Sequence, residues 1–166
     1  MSSEGLYEYH PVNEADLEEI LAVYRQCEDF LALGPIANAS KEMVLADLQL
    51  SARAGGRYCG IFNEEGKMVG VLDYVPGNFE GVPSHAFLEL LMIAAPYRGS
   101  GIGRQIEAQV EAEIRANPAV TALHSGVQVN NPAGISFWQH MGFRINSAPK
   151  QMPDGTTVYD LYKPLR

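Results

Sequence analysis

"LLMIAAPYRGSGIGRQ", Leu90 to Gln105, runs an apolar segment through a glycine-studded turn into a helical pattern. The apolar part starts at His85 and ends at Ala95, the length of a strand, and reads as buried on both faces. Beyond the turn, Ile102, Ile106, Val110 and Ile114 recur at helical spacing, and Asn117-Pro118 ends the pattern. Gly99, Gly101 and Gly103 stand at alternate positions just where that helix begins. Glycine is a poor helix former, so its use here has another cause. A helix N-terminus exposes unpaired N–H groups and the positive end of its dipole, and glycines in front of it let an anion sit directly on those donors. The stretch therefore predicts a phosphate or pyrophosphate site.

Spacing narrows the kind of site. A Walker loop needs GxxxxGK[ST], a string the chain does not contain. A dinucleotide fingerprint needs GxGxxG, but counting from Gly99 puts Arg104 in the sixth place, and the following strand ends in "VQVN" without an acidic residue. What remains is R-x-x-G-x-G, carried by Arg98, Gly101 and Gly103.

Working outward, Gly5 to Val12 alternates loosely and reads as a strand. Asn13 with Asp16 forms a capping-box pattern ahead of Leu17, Ile20, Leu21 and Tyr24, the apolar face of a helix that Gly34-Pro35 breaks. A second helix spans Ser40 to Ala52 with Val44, Leu45 and Leu48 inward. Arg57 to Asn63 and Lys67 to Val75 are two strands joined by a tight turn, an antiparallel hairpin. After the central strand and helix come a strand at Val120 to Val129 and a short helix with Asn131 as N-cap and Pro132 in its first turn. "GFRIN" and "TTVYDLYK" supply two final strands. The order is β-α-α-β-β-β-α-β-α-β-β.

The 166 residues fit one domain with one core, and 46% apolar with 19% charged residues is ordinary for a globular chain. No apolar run has the length of a membrane span, and "MSSEGLYEYHPV" shows no secretory signal. Cys27 and Cys59 stand apart, outside any metal or disulfide pattern, which suits a reducing cytoplasm. A net charge of −8 disfavours nucleic-acid partners and is a weak attraction for cationic ones. His85, His124 and His140 show no metal-ligand spacing and read as surface or core histidines.

With R-x-x-G-x-G in place, "LLMIAAPYRGSGIG" and the downstream "NNPAGISFWQHMGF" resemble the GNAT superfamily of coenzyme-A-dependent N-acetyltransferases, and the element order agrees over nearly the whole chain. The resemblance implies a single domain over residues 1–166 of α/β (α+β) class: a mixed, mostly antiparallel twisted sheet of six to seven strands with about four helices. It implies acetyl-CoA as co-substrate, a small-molecule amine as acceptor, no nucleic acid, no membrane, no metal, and it leaves room for a homodimer. It also implies that the main chain of Leu91 supplies the oxyanion donor, that Leu91, Met92 and Ile93 hold the pantetheine arm, and that Arg98, Gly99, Ser100, Gly101, Ile102, Gly103 and Arg104 surround the pyrophosphate. Arg104 reads equally as a solvated surface residue, and Asn131 as a helix cap with ligand contact secondary.

A protonated alkylamine must lose a proton before it attacks a thioester. Glu89 is the acidic residue inside the central strand, and it reads either as general base or substrate ligand, or as half of a structural ion pair. The family's usual proton donor, a tyrosine four residues before "GF", is replaced by Trp138, which reads as packing against the pantetheine or the core. Tyr74, Tyr97 or a water could take its place. The first two helices and "VPGNFEGVPS" are expected to shape the acceptor pocket, with Phe79, Phe30 and Tyr24 suiting an acceptor with apolar parts. A non-catalytic coenzyme-A-binding module and a protein N-terminal or lysine acetyltransferase are the alternatives.

Overall fold

The computed structural model describes residues 5–166, so the start of the N-terminal stretch lies outside the described residues. The chain folds as β1 (Glu8–Pro11), α1 (Leu17–Arg25), α2 (Glu28–Leu31), α3 (Lys41–Arg53), β2 (Arg57–Phe62), β3 (Met68–Val75), β4 (His85–Ile93), α4 (Ile102–Arg115), β5 (Ala122–Gln128), α5 (Pro132–His140), β6 (Arg144–Ile145), β7 (Lys150–Gln151) and β8 (Thr157–Pro164). These strands join one eight-stranded sheet in the order β1-β2-β3-β4-β5-β8-β6, with β7 also on β8. Among the described residues only β4 and β5 run parallel; every other pairing is antiparallel. The mixed α/β architecture is the expected one, with a strand and a helix more than expected. The added strand, β7, is two residues long and has no alternation to read; it exists because β8 is long enough to pair with it.

Local signals behave as expected at several ends. Asn13 accepts from the Ala15 amide at 2.9 Å and Asp16 accepts from the Asn13 amide at 3.0 Å, the two halves of a capping box. Ser40 caps α3 through the Met43 amide at 3.1 Å. The first helix, however, ends at Arg25 rather than at Gly34-Pro35, and a one-turn α2 follows. The carbonyl freed at Gln26 accepts from the Ala95 amide at 3.1 Å, so the early ending anchors the exit of β4.

The sheet is sandwiched between two apolar layers. Ile102, Ile106, Val110 and Ile114 of α4 and Trp138 of α5 bury against Ile61, Leu72, Leu88, Leu123 and Leu161. On the other face, Ile20, Leu21 and Tyr24 of α1 and Val44 of α3 bury against Tyr58, Val71 and Met92. Each such aliphatic side chain stabilises the fold by roughly 1.5–3 kcal/mol. β3 is covered on both faces and is buried along its length. For β4 the expectation of two buried faces fails: Ala86, Leu88 and Met92 are buried, but Glu89 is exposed. The cause is that α1 and α3 lie over β2 and β3, and neither apolar layer reaches the His124–Gly126–Gln128 face of β5.

Candidate active site

Two irregularities of β4 make the site. Asp73 pairs with Leu90 and Tyr74 with Leu88, which leaves Glu89 unpaired in a β-bulge. On its other edge β4 accompanies β5 only from His85–Ala122 to Leu88–Ser125. The Ser125 hydroxyl donates to the Leu88 carbonyl at 2.7 Å at the last shared position. Beyond that point the strands part, and a cleft of about 1130 Å³ opens between them.

The antiparallel ladder fixes which main-chain groups face the gap. The Ala94 amide donates to the Val69 carbonyl at 2.9 Å, so alternation turns Met92 toward β3 and the amides of Leu91 and Ile93 toward the cleft. The Ile93 carbonyl, on that same side, accepts from Arg98 Nε at 2.8 Å.

β4 leaves through a 3-10 turn, Ala95–Tyr97, and reaches α4 across Arg98 to Gly101. Gly99 and Gly101 both have φ of 82°, a left-handed conformation that side chains disfavour. A Cβ at Gly99 would meet nothing within 4 Å, and one at Gly101 only Arg104 Nη2 at 3.7 Å. No side chain caps α4 at Gly101, so its first-turn amides keep their capacity to bind an anion. Gly103 serves otherwise than expected: a Cβ there would lie 3.3 Å from the Phe137 ring, so this glycine lets α5 close on α4. Ser100 spends its hydroxyl on the Tyr97 carbonyl at 2.8 Å, holding the turn, and Ile102 is core.

The basic residues divide. Arg98 pairs with Asp29 through two bonds of 2.5 and 3.1 Å at the cleft, which holds the Asp29 carboxyl below its ordinary range. The pair ties the short α2 to the exit of β4. Arg104 lies exposed on the first turn of α4, lines the cleft and makes no ion pair among the described residues. Asn131 Oδ1 caps α5 through the Gly134 amide at 2.9 Å, and the residue also lines the cleft. Trp138 sits edge-on to Phe137 and Phe143, at 5.0 and 5.1 Å between ring centres, with one side on the cleft.

Glu89 makes no ion pair among the described residues, which removes the structural-pair reading. Its side chain reaches solvent through the cleft, yet the surrounding walls displace enough water to raise its carboxyl above the ordinary range, and the charge of Asp47 adds to this. Asp73, buried against the Ser51 hydroxyl at 2.7 Å, is pushed up to about 6, first by burial and in part by Glu89 itself. Such a carboxylate, desolvated and among like charges, is suited to take a proton.

Two tyrosines leave the site. Tyr74 is buried on the α4 side, donating to Glu113, and does not line the cleft. Tyr24 is buried too, hydrogen-bonded to Asp47 and Tyr58 at 2.6 Å each. Tyr97, Phe30 and Phe79 do line the cleft. Sequence reasoning missed the far wall of the cleft, formed by Phe87, Gly126, Gln128, Val158 and Asp160. Gly126 was the legible signal there, a lone glycine inside a strand pattern.

Among the described residues no group of histidines, cysteines and carboxylates could hold a metal, and no helix is long and apolar enough to cross a membrane. No curated protein matches the chain in sequence. Among solved structures, an acetyltransferase from Thermus thermophilus shares 26% identity over 95% of this chain and 96% of its own, at a TM-score of 0.77. The spermidine N-acetyltransferase of Vibrio cholerae, in complex with CoA and spermine, is 12% identical over 96% and 95% of the two chains, at 0.74. The PaiA N-acetyltransferase of Thermoplasma acidophilum, in complex with coenzyme A, is 17% identical over 96% and 99%, at 0.68. The acetyltransferase (GNAT) family matches residues 17–143, covering the bulged strand, the glycine turn and the helix behind it. The chain belongs to the GNAT acetyltransferase family.

Proposed function

We propose that residues 1–166 form a single-domain N-acetyltransferase that moves the acetyl group of acetyl-CoA directly to a primary amine of a small molecule. One observation carries this reading. A single cleft connects an uncapped helix N-terminus behind open glycines with a bulged strand bearing a carboxylate that has no cationic partner among the described residues. The coenzyme fits the residues present: space in front of Gly99 and Gly101 admits a diphosphate, and two strand amides face the gap behind it. The relatives solved with CoA support the same choice.

Bound acetyl-CoA supplies a thioester whose carbonyl an amine can attack. The first-turn amides of α4, from Ile102 on, with Ser100 in the turn and Arg104 beside it, hold the diphosphate by dipole and charge. The main chain of Leu91 to Ile93 binds the pantetheine arm as an added half-strand, and the Leu91 amide donates to the carbonyl oxygen as it gains charge. One such donor lowers a barrier by about 3 kcal/mol. Asn131 and Trp138 close the side of α5. Glu89 accepts the amine's proton, directly or through water. The thiolate departs with a proton from Tyr97 or from solvent; at a thiol pKa of about 8.5, unassisted departure costs only about 2 kcal/mol at neutrality. Transfer is direct because both thiols are buried and held protonated, Cys59 being pushed up to about 12 by burial.

The test incubates the protein with acetyl-CoA and a panel of amines and follows free thiol. Release above blank with at least one amine is the expected result. Calorimetric binding of CoA without release across the panel would instead support a non-catalytic module, the reading favoured by Trp138 in the proton donor's place.

A further inference from the structure

We infer that the acceptor's ammonium group rests over Gly126, between Glu89 and Asp160, and that the acceptor is a primary amine with an apolar or aromatic body and no carboxylate beside the amine. This rests on the acyl-transfer reading and names the substrate class of the same cleft. The sheet register sets the geometry. His124, Gly126 and Gln128 alternate onto the open face of β5, and their partners on β8 are Tyr162, Asp160 and Val158. On β4, Phe87 pairs with His124 and Leu88 with Ser125, so Glu89 and Gly126 are the first residues past the last shared position, where the strands begin to part, and both line the cleft. The sheet thus presents a bare glycine with a carboxylate on either side, inside the cleft.

Nothing in the protein's own packing asks for that glycine. It lacks the left-handed conformation of Gly99, and a Cβ there would come no nearer than 3.8 Å to the Tyr159 carbonyl. A glycine inside a strand weakens it, and it commonly marks the close approach of a ligand. Here it opens a window in the cleft floor.

The surroundings define what fills the window. Phe79 of the loop before β4 stacks on Phe87 at 4.3 Å between ring centres, and His124 lies 4.4 Å from His85; these four rings line the cleft, and Tyr162 backs His124 at 5.5 Å. Two buried atoms on this strip, Gln128 Oε1 and His124 Nε2, have no hydrogen-bond partner among the described residues. Burial, and then His85, lower the pKa of His124, so its ring stays neutral and can accept. Both residues line the cleft, and unpartnered polar atoms there favour a ligand that brings hydrogen-bond donors, as an ammonium group does. Glu89 has no cation among the described residues, and Asp160 has only Lys150 at 3.2 Å in an exposed pair that an incoming cation can replace. A carboxylate next to the amine would lie against both acidic side chains, and like charges so placed reject a ligand.

Three probes that differ only at one substituent test this: 2-phenylethylamine, phenylalaninamide and phenylalanine. The first two are expected to be acetylated, with phenylalanine lower in kcat/KM by about thirtyfold or more. Gly126→Val is expected to raise the KM for 2-phenylethylamine at least tenfold, about the effect of occupying one ammonium site. It should leave the melting temperature and calorimetric acetyl-CoA affinity as they are. Asp160→Asn should raise KM with kcat retained. If Gly126→Val does not fold, Gly126→Ala, whose Cβ has ordinary clearance, replaces it. Should no probe be turned over, a thermal shift of the CoA complex by 2-phenylethylamine decides: a shift abolished by the Gly126 variant supports the assignment, and no shift overturns it. Equal use of phenylalanine, or a KM indifferent to Gly126, overturns it while acyl transfer stands. Failure to bind acetyl-CoA refutes the underlying reading.

Discussion

Glu89→Gln separates chemistry from structure at the bulge. An alkylamine of pKa about 10.4 is free base in only about one molecule in 2,500 at pH 7, a handicap of about 4.6 kcal/mol that a positioned base offsets. Losing that base should lower kcat/KM at pH 7 by about 10²–10⁴-fold. The variant should then recover roughly tenfold per pH unit up to pH ~10, because solvent now performs the deprotonation. The structure also fixes what should not change. Glu89 has no cationic partner to orphan among the described residues, and its carboxyl is raised by lost solvation and by Asp47, so replacing it with an uncharged isostere relieves repulsion. The melting temperature should hold or rise, whereas breaking a buried ion pair would cost about 3–5 kcal/mol. CoA affinity should stay within about twofold, since Glu89 lies away from the glycine turn. Thiol release against pH and calorimetry with CoA give all three readouts. A variant retaining a third of the activity, with an unchanged pH slope, would refute the assignment of Glu89 as base.

Gly101→Val should weaken CoA at least tenfold by filling the turn, and cost about 1–2 kcal/mol in stability at a φ of 82°. Gly103→Ala trades helix propensity against a 3.3 Å contact with Phe137; it should leave CoA affinity nearly intact, and losses as large as those of Gly101→Val would contradict its packing role. Gly70→Ala sets a Cβ 2.5 Å from the Met92 carbonyl, which is backbone and cannot swing away, so denaturant melts should show a loss of about 3 kcal/mol. Glu107 is 1% exposed, with neither carboxylate oxygen hydrogen-bonded and Lys163 Nζ 3.9 Å away; burial, then Glu111, raise its carboxyl above the ordinary range. The folded state therefore holds that proton more tightly than the unfolded chain, and the linked stability is lost as pH rises from the ordinary glutamate range through the folded value. Urea melts of Glu107→Gln from pH ~5 to ~9 should lack this decline, and an identical slope in the variant would show that Glu107 does not cause it.

Much of the site was legible because its causes are local. The glycines ahead of the Ile102–Ile114 stripe, the Asn13 and Asn131 caps and the apolar periods act within a few residues, and each appears in place. Whatever depended on register between distant segments was not. Arg98 reads from sequence as a phosphate ligand, and its pairing with Asp29, far away in sequence, is visible only in the fold. Tyr74 looked available until the parity of β3 sent it to the α4 face. The parting of β4 from β5, the unpaired position of Glu89 and the placing of Gly126 beside Asp160 follow from strand pairing. A shift of one residue in such pairing moves every side chain to the opposite face, and no short window of sequence records which register wins.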